Sequence, residues 1–463
     1  MALSAEAYMT YCSMSKVAQN GLLVLVMASL FSCTPPKKGL NYLENALAVE
    51  QWLAQNTQGQ SLVWPDAMDD PDKISINLSD GMSAKLVYYL ELHEATDEPA
   101  YLDRAKGIGD YLLENLLTTS DSLKGKFWMF SPYGNVCGPG YALQELHKVT
   151  NEDKYRKGLN HTLELLWHSA DHSPDSISWD LGNDVLGGLS GTGLFLLYAA
   201  RETQDSEYLQ WAQGAANTLI HRSIKGDGTL TWKRGQDSRY ILPNFSHGGA
   251  GIGYFFARLY EETGDQVHLQ TALQAVNYLD SIAKTENGTY LIPYGFPDPG
   301  WSRAYDIGWA HGPAGVGRLF IKLHQLTNDP QWLRKAEACL KGIQSSNPLG
   351  QPAEGFGVEP FSFDQRFGLA GVAQYAQDLY GHTKKPEHLD FATQIVNHLL
   401  AQADATEGLS WPIPRFRFMA NGGDTTTFTG YFYGSTGFGT VLLNQYYLLN
   451  EERRKIHFVD DPF

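Results

Sequence analysis

At 463 residues and 43% hydrophobic content, the chain holds enough apolar mass for a sizeable core. Its formal net charge of −16 is spread without a long acidic run, which argues against nucleic acid as a partner and reads as solubility. Four cysteines, two of them ahead of residue 40, supply no disulfide framework.

The first element is a targeting segment. Lys16 precedes the apolar run from Gly21 to Phe31, too short for a stable bilayer span and suited to a signal-peptide core. Leu30-Phe31-Ser32-Cys33 resembles a bacterial lipobox, so Cys33 is the expected lipidated first residue of the mature protein. The expected division is 1–32 signal peptide, 33–40 lipidated cysteine and Thr-Pro-Pro-Lys-Lys tether, and 41–463 a single domain. That makes the protein an extracytoplasmic, membrane-anchored lipoprotein, held through acyl chains only. Met14 offers a second start, and a plain secretory signal cleaved near Cys33 is the alternative.

From Asn41 two kinds of helical pattern alternate. One is amphipathic, as in NYLENALAVEQWLAQ from Asn41, EYLQWAQGAANTLIHR from Glu207 and HLDFATQIVNHLLAQ from His388; seven such segments predict helices with one face in solvent. The other is apolar around its circumference and follows a glycine-rich turn, as in FSHGGAGIGYFFARL from Phe245. That turn recurs as GLSGTGLFLL from Gly188, GPAGVGRLF from Gly312, GLAGVAQYA from Gly368 and GSTGFGTVLL from Gly434, with weaker copies from Gly81 and Asn135. The second small residue falls at 84, 138, 191, 251, 315, 371 and 437, an even pitch that predicts a repeat architecture. Seven solvent-facing helices alternating with seven buried ones predict an all-α fold, an α/α toroid of seven inner and seven outer helices.

The segments entering the inner helices are rich in Trp, Tyr, Phe and Pro, and TYLIPYGF and RFRFMA predict short β-hairpins. All converge on one mouth. Aromatics interleaved with Asp, Arg and His there suit a peptide-like or glycan ligand, or else simply roof the core. Cys339, at helical spacing with Trp332 and Ala336, reads as core, and Cys137 as a packed small residue.

NDVLGGLSGTGLFLL, FSHGGAGIGYFFARL and GWAHGPAGVGRLF resemble the repeats of lanthionine synthetase C-like proteins, over essentially the whole chain after Asn41. The resemblance implies a toroid and, in family enzymes, a mouth zinc held by two cysteines and a histidine that activates a peptide thiol. This chain has Ala310, Arg366 and Phe367 at those three positions, so no zinc and no other cofactor is expected. The resemblance carries acid/base roles to Asp184 and His247, with His311 beside the lost ligand position; turn stabilisation is the other reading for each. Arg366 keeps positive charge where the metal would sit, so Arg366 and Arg303, with Asp306 and Trp309, are expected to bind an anionic or peptide-like ligand.

Two alternatives stand beside that reading. Closed toroids also host carbohydrate-active enzymes, for which Asp180, Asp184, Asp237, Asp306 and Asp364 are available carboxylates. A non-catalytic binding lipoprotein is the other.

Overall fold

The computed structural model describes residues 38–461 apart from 58–61, 119–122, 124–128, 180–181, 235–238, 299, 301–303, 358–359 and 415–423. Cys33 and the leader, Arg303, Asp180, Asp237 and the RFRFMA stretch therefore lie outside the described residues.

The described residues form fourteen α-helices. The first seven are α1 (Leu40–Gln55), α2 (Met82–Thr96), α3 (Pro99–Asn115), α4 (Cys137–Thr150), α5 (Asp153–Ser169), α6 (Leu189–Thr203) and α7 (Ser206–Arg222). The remainder are α8 (Gly249–Thr263), α9 (Gln266–Ile282), α10 (Pro313–Thr327), α11 (Pro330–Ser345), α12 (Leu369–Thr383), α13 (Pro386–Ala401) and α14 (Ser435–Leu449). Each even-numbered helix packs on the even-numbered helices before and after it, and α14 packs on α2, so the inner ring closes. Each odd-numbered helix from α3 onward packs outside the even one before it; α1, which has no predecessor, packs on α14. The burial pattern follows: α14 is buried at every position from Ser435 to Leu448, whereas α1 buries Tyr42, Ala46, Val49, Trp52 and Leu53, one face of a helix.

The repeated sequence features each make one joint. At the end away from the mouth, Thr96, Thr150, Thr203, Thr263, Thr327 and Thr383 each donate to the carbonyl four residues back and accept an N–H two residues on. The intervening residue takes a left-handed conformation, and the chain turns straight into the next outer helix. At the mouth end, the indole N–H groups of Trp64, Trp179, Trp232 and Trp411 donate to the carbonyls of Leu53, Leu166, Leu219 and Leu399 in the last turns of the outer helices. These loop tryptophans are fully buried and roof the core.

The glycine turns then enter the inner helices. At Gly251, Gly315 and Gly437 a Cβ would lie 2.0 Å from the carbonyl oxygen of Phe245, Trp309 and Tyr431 respectively, so only glycine lets the turn fold over the helix start. Neighbouring turns are stitched by backbone bonds: Leu186 N donates to Ser246 O, Ser246 N to Ala310 O and Ala310 N to Arg366 O. Further round, Gln365 N donates to Phe432 O, Phe432 N to Ser79 O and Ser79 N to Tyr133 O, making a circumferential rim.

Among the described residues three two-stranded antiparallel pairs lie in the loops at this end, Asp171–His172 with Ile177–Ser178, Ile224–Lys225 with Leu230–Thr231, and Ile413–Pro414 with Thr425–Thr426. TYLIPYGF is not one of them: it contributes single bridges, Leu291 to Lys284 and Phe296 to Ile241. Its Pro293 removes a ladder donor.

Candidate functional site

One position at the entry of each turn gathers the chemistry of the rim. Read around the ring it is Asp80, Gly134, Gly187, His247, His311, Phe367 and Tyr433, each four residues before the second small residue of its turn. Two glycines leave one arc of the rim without side chains, and the chemistry crowds into the other.

Within that arc His247 Nδ1 lies 2.7 Å from Asp184 Oδ2, and Gly187 N donates to Asp184 Oδ1 at 2.8 Å. Both residues are buried, Asp184 completely. Turn stabilisation and orientation of the imidazole are thus carried by one carboxylate, one oxygen for each. A carboxylate only accepts, so Nδ1 carries the hydrogen and Nε2 keeps the lone pair. Burial pushes His247 below its ordinary value, against the pull of Asp184. The ring is therefore neutral near pH 7, a base with an oriented tautomer.

His311 continues the row. Its ring centroid is 5.5 Å from that of His247 and 5.8 Å from Phe367, and it stacks on Tyr294 at 4.1 Å. Arg366 closes the arc. Its Nη1 donates to Tyr433 Oη at 2.7 Å, and its guanidinium carbon sits 4.8 Å from the Phe367 ring centroid and 5.8 Å from that of Phe432. Arg366 is half-buried, and Tyr433, pushed up to about 12 chiefly by burial, stays a neutral phenol. Asp80 has its carboxyl raised to about 6, by burial first and by the charge of Asp66 next, while Arg366 and Lys85 hold it back. Beneath it Lys85 Nζ donates to Asp80 O at 2.5 Å.

Other expected site residues sit lower. Trp309 is 5% exposed and its indole N–H donates to Asp460 Oδ2 at 2.8 Å, which makes it the floor under the mouth. Asp306 is buried in the turn below, where Ile307 N donates to its Oδ1 at 2.8 Å. Asp364 repeats the Asp184 arrangement, accepting Phe367 N at 2.6 Å and the hydroxyl of Ser362. Asp80, Tyr294, Tyr433 and Asp460 were not singled out from the sequence. Aligning the repeats on the residue before the glycine would have found Asp80 and Tyr433.

The three positions that hold zinc in the family come together here, Ala310 N donating to Arg366 O at 2.8 Å with Phe367 next in the chain. A methyl, a guanidinium and a phenyl ring have no lone pairs to give, so these residues do not fit zinc. Among the described residues no group of three or more His, Cys, Asp and Glu side chains is disposed to hold a metal ion. The thiols cannot substitute. Cys137 is buried with its Sγ on Phe130 O, Cys339 is buried in α11, and burial pushes both upward.

Among curated proteins the chain is similar to glutathione S-transferase LANCL1 of Danio rerio, 22% identical over 320 residues that cover 67% of this chain and 71% of the relative. Among solved structures it is similar to nisin cyclase, with a TM-score of 0.59 and 16% identity over 87% of this chain and 93% of that one, a likeness of fold. An unsaturated glucuronyl hydrolase specific for heparin superposes less well, with a TM-score of 0.47 and 13% identity over 90% of this chain and 99% of that one, too little to carry an argument about chemistry. The family model for lanthionine synthetase C-like protein matches residues 72–351, three-fifths of the chain, and the closed double ring of helices agrees with it. The chain is a member of the lanthionine synthetase C-like family.

Proposed function

We propose that the mouth binds a peptide-like ligand carrying an anionic group and moves a proton on it, with His247 as the base and without the family's zinc. The observation that carries the reading is the buried Asp184–His247 pair, which holds a neutral imidazole in one tautomer beside a half-buried guanidinium. Arg366 supports the anionic part of the proposal: a cation boxed by Phe367, Phe432 and Tyr433 is an orienting group for a carboxylate. The rim glycines Gly134 and Gly187 would leave the peptide its way in. Carriage outside the cytoplasm on a lipidated Cys33 belongs to the same proposal.

Glutathione is a suitable probe, since it is a thiol tripeptide with two carboxylates and it stands in the name of the Danio rerio relative. The test is thiol addition from glutathione to an electrophile, followed in buffer containing a metal chelator. The reading expects turnover that persists under chelation and falls about 10²- to 10⁴-fold in His247→Gln, the usual worth of a positioned general base. Loss of all turnover on chelation, or wild-type rates in His247→Gln, would overturn it. So would binding of glycans with no binding of peptides.

A further inference from the structure

Past α14 the chain does not run along the outside of the ring. Arg454, Ile456, Phe458, Val459, Asp460 and Asp461 are buried, and the partners of this segment come from five inner helices, α2, α4, α8, α10 and α12. A segment that touches five members of a seven-membered ring lies on its axis.

The chemistry of that axis is complementary. The tail brings two carboxylates and a guanidinium, and the ring brings partners for each. Asp460 Oδ2 accepts from Arg318 Nη1 at 2.9 Å and from Trp309 Nε1 at 2.8 Å, and Tyr133 donates its hydroxyl to Oδ1. The carbonyl of Asp461 accepts from Tyr254 Oη at 2.7 Å and Arg258 Nη1 at 3.1 Å. Phe458 anchors the segment, 4.3 Å from the Tyr431 ring centroid and 6.1 Å from that of Tyr141. Arg454 ties the segment to itself and to α2, donating to Asp461 Oδ2 at 2.5 Å and Glu91 Oε1 at 3.1 Å. Arg318 also pairs with Asp378 of α12, but a buried guanidinium that loses the Asp460 carboxylate is costly, so the socket selects for carboxylates at these two positions of its occupant.

The occupant is joined to the ring only through Asn450, Glu451 and Glu452, and both glutamates are exposed. It also reaches the mouth. Trp309, held from below by Asp460, precedes Ala310, whose carbonyl accepts both the N–H and the hydroxyl of Ser246, the residue before His247.

We propose that the axis of the ring is a binding site for a peptide that carries an aromatic anchor followed by a pair of carboxylates, which the chain fills with its own segment 453–461, and that Asp460 is a positioning residue for the mouth through Trp309. The site closes the bore below the mouth, so ligand enters and leaves from one end.

A protease recognition sequence placed between Glu451 and Glu452 of the full chain, cut after folding, tests this. The freed segment is expected to co-elute with the ring in size exclusion, and its dissociation constant is expected to rise at least tenfold in Asp460→Asn/Asp461→Asn. In uncut Asp460→Asn, Trp309 emission and the His247 imidazole resonance are expected to shift while helix content stays unchanged. Immediate loss of the wild-type segment on cutting, with no change in thermal midpoint, overturns the proposal. Equal retention of wild-type and doubly substituted segments overturns the carboxylate recognition, and an unshifted His247 resonance in Asp460→Asn overturns the positioning role.

Discussion

His247 and Asp184 stand 63 residues apart in the chain and 2.7 Å apart in space, joined Nδ1 to Oδ2 across adjacent turns of the ring. Asp184 is the partner that raises the imidazole against its burial. Asp184→Asn removes that charge, so the His247 titration, followed by imidazole NMR, is expected to move further down from the wild-type position. The same substitution weakens the bond to Gly187 N and is expected to cost about 1–3 kcal/mol in denaturant unfolding.

The turn glycines separate by geometry. Gly251→Ala would put a methyl 2.0 Å from Phe245 O, backbone that cannot yield without moving the rim. Chemical denaturation is expected to give a loss of more than about 3 kcal/mol, or no folded protein. Gly264→Ala, with open space around the Cβ but φ at +67°, is expected to cost only about 1 kcal/mol.

The loop tryptophans should behave as helix terminators. Trp411→Phe deletes the buried indole donor to Leu399 O and leaves that carbonyl only the N–H of Gln402. A loss of about 1–3 kcal/mol is expected, with ligand binding at the mouth unchanged.

Stability should also report the axial charges. Burial raises Glu91 from its ordinary 4.5 to about 7, against Arg454 and Thr440. A carboxyl whose folded value is raised contributes stability that is complete below about 4.5 and is lost as pH rises through about 7. Thermal midpoints of the wild type measured from pH 4 to pH 8 are therefore expected to fall relative to those of Glu91→Gln, which has no proton to lose; parallel curves would contradict this.

Much of this was legible in the sequence because repetition makes weak signals add. One Gly-x-x-Gly-x-Gly is a common turn, but four of them with looser copies at the same pitch, each followed by an apolar helix, point to a ring with one mouth. Asp184, His247 and His311 were singled out through the resemblance to the family's motifs, and the structure places the first two in one hydrogen-bonded pair. Trp309 shows the limit: its neighbours in sequence lie at the mouth, yet its side chain points to Asp460, 151 residues later. The axial tail was hidden because it follows the last repeat and shares none of its pattern. Nothing local in HFVDD announces that five helices will close around it.

The central claim is that the mouth holds an anionic, peptide-like ligand by a guanidinium in place of a metal. Calorimetric titration of glutathione into the wild type and Arg366→Ala, at low and at high salt, tests it most directly. The account predicts affinity at least about tenfold weaker in the variant, about 1.4 kcal/mol, with most of the salt dependence gone. Equal affinity and equal salt dependence in the two proteins would contradict it.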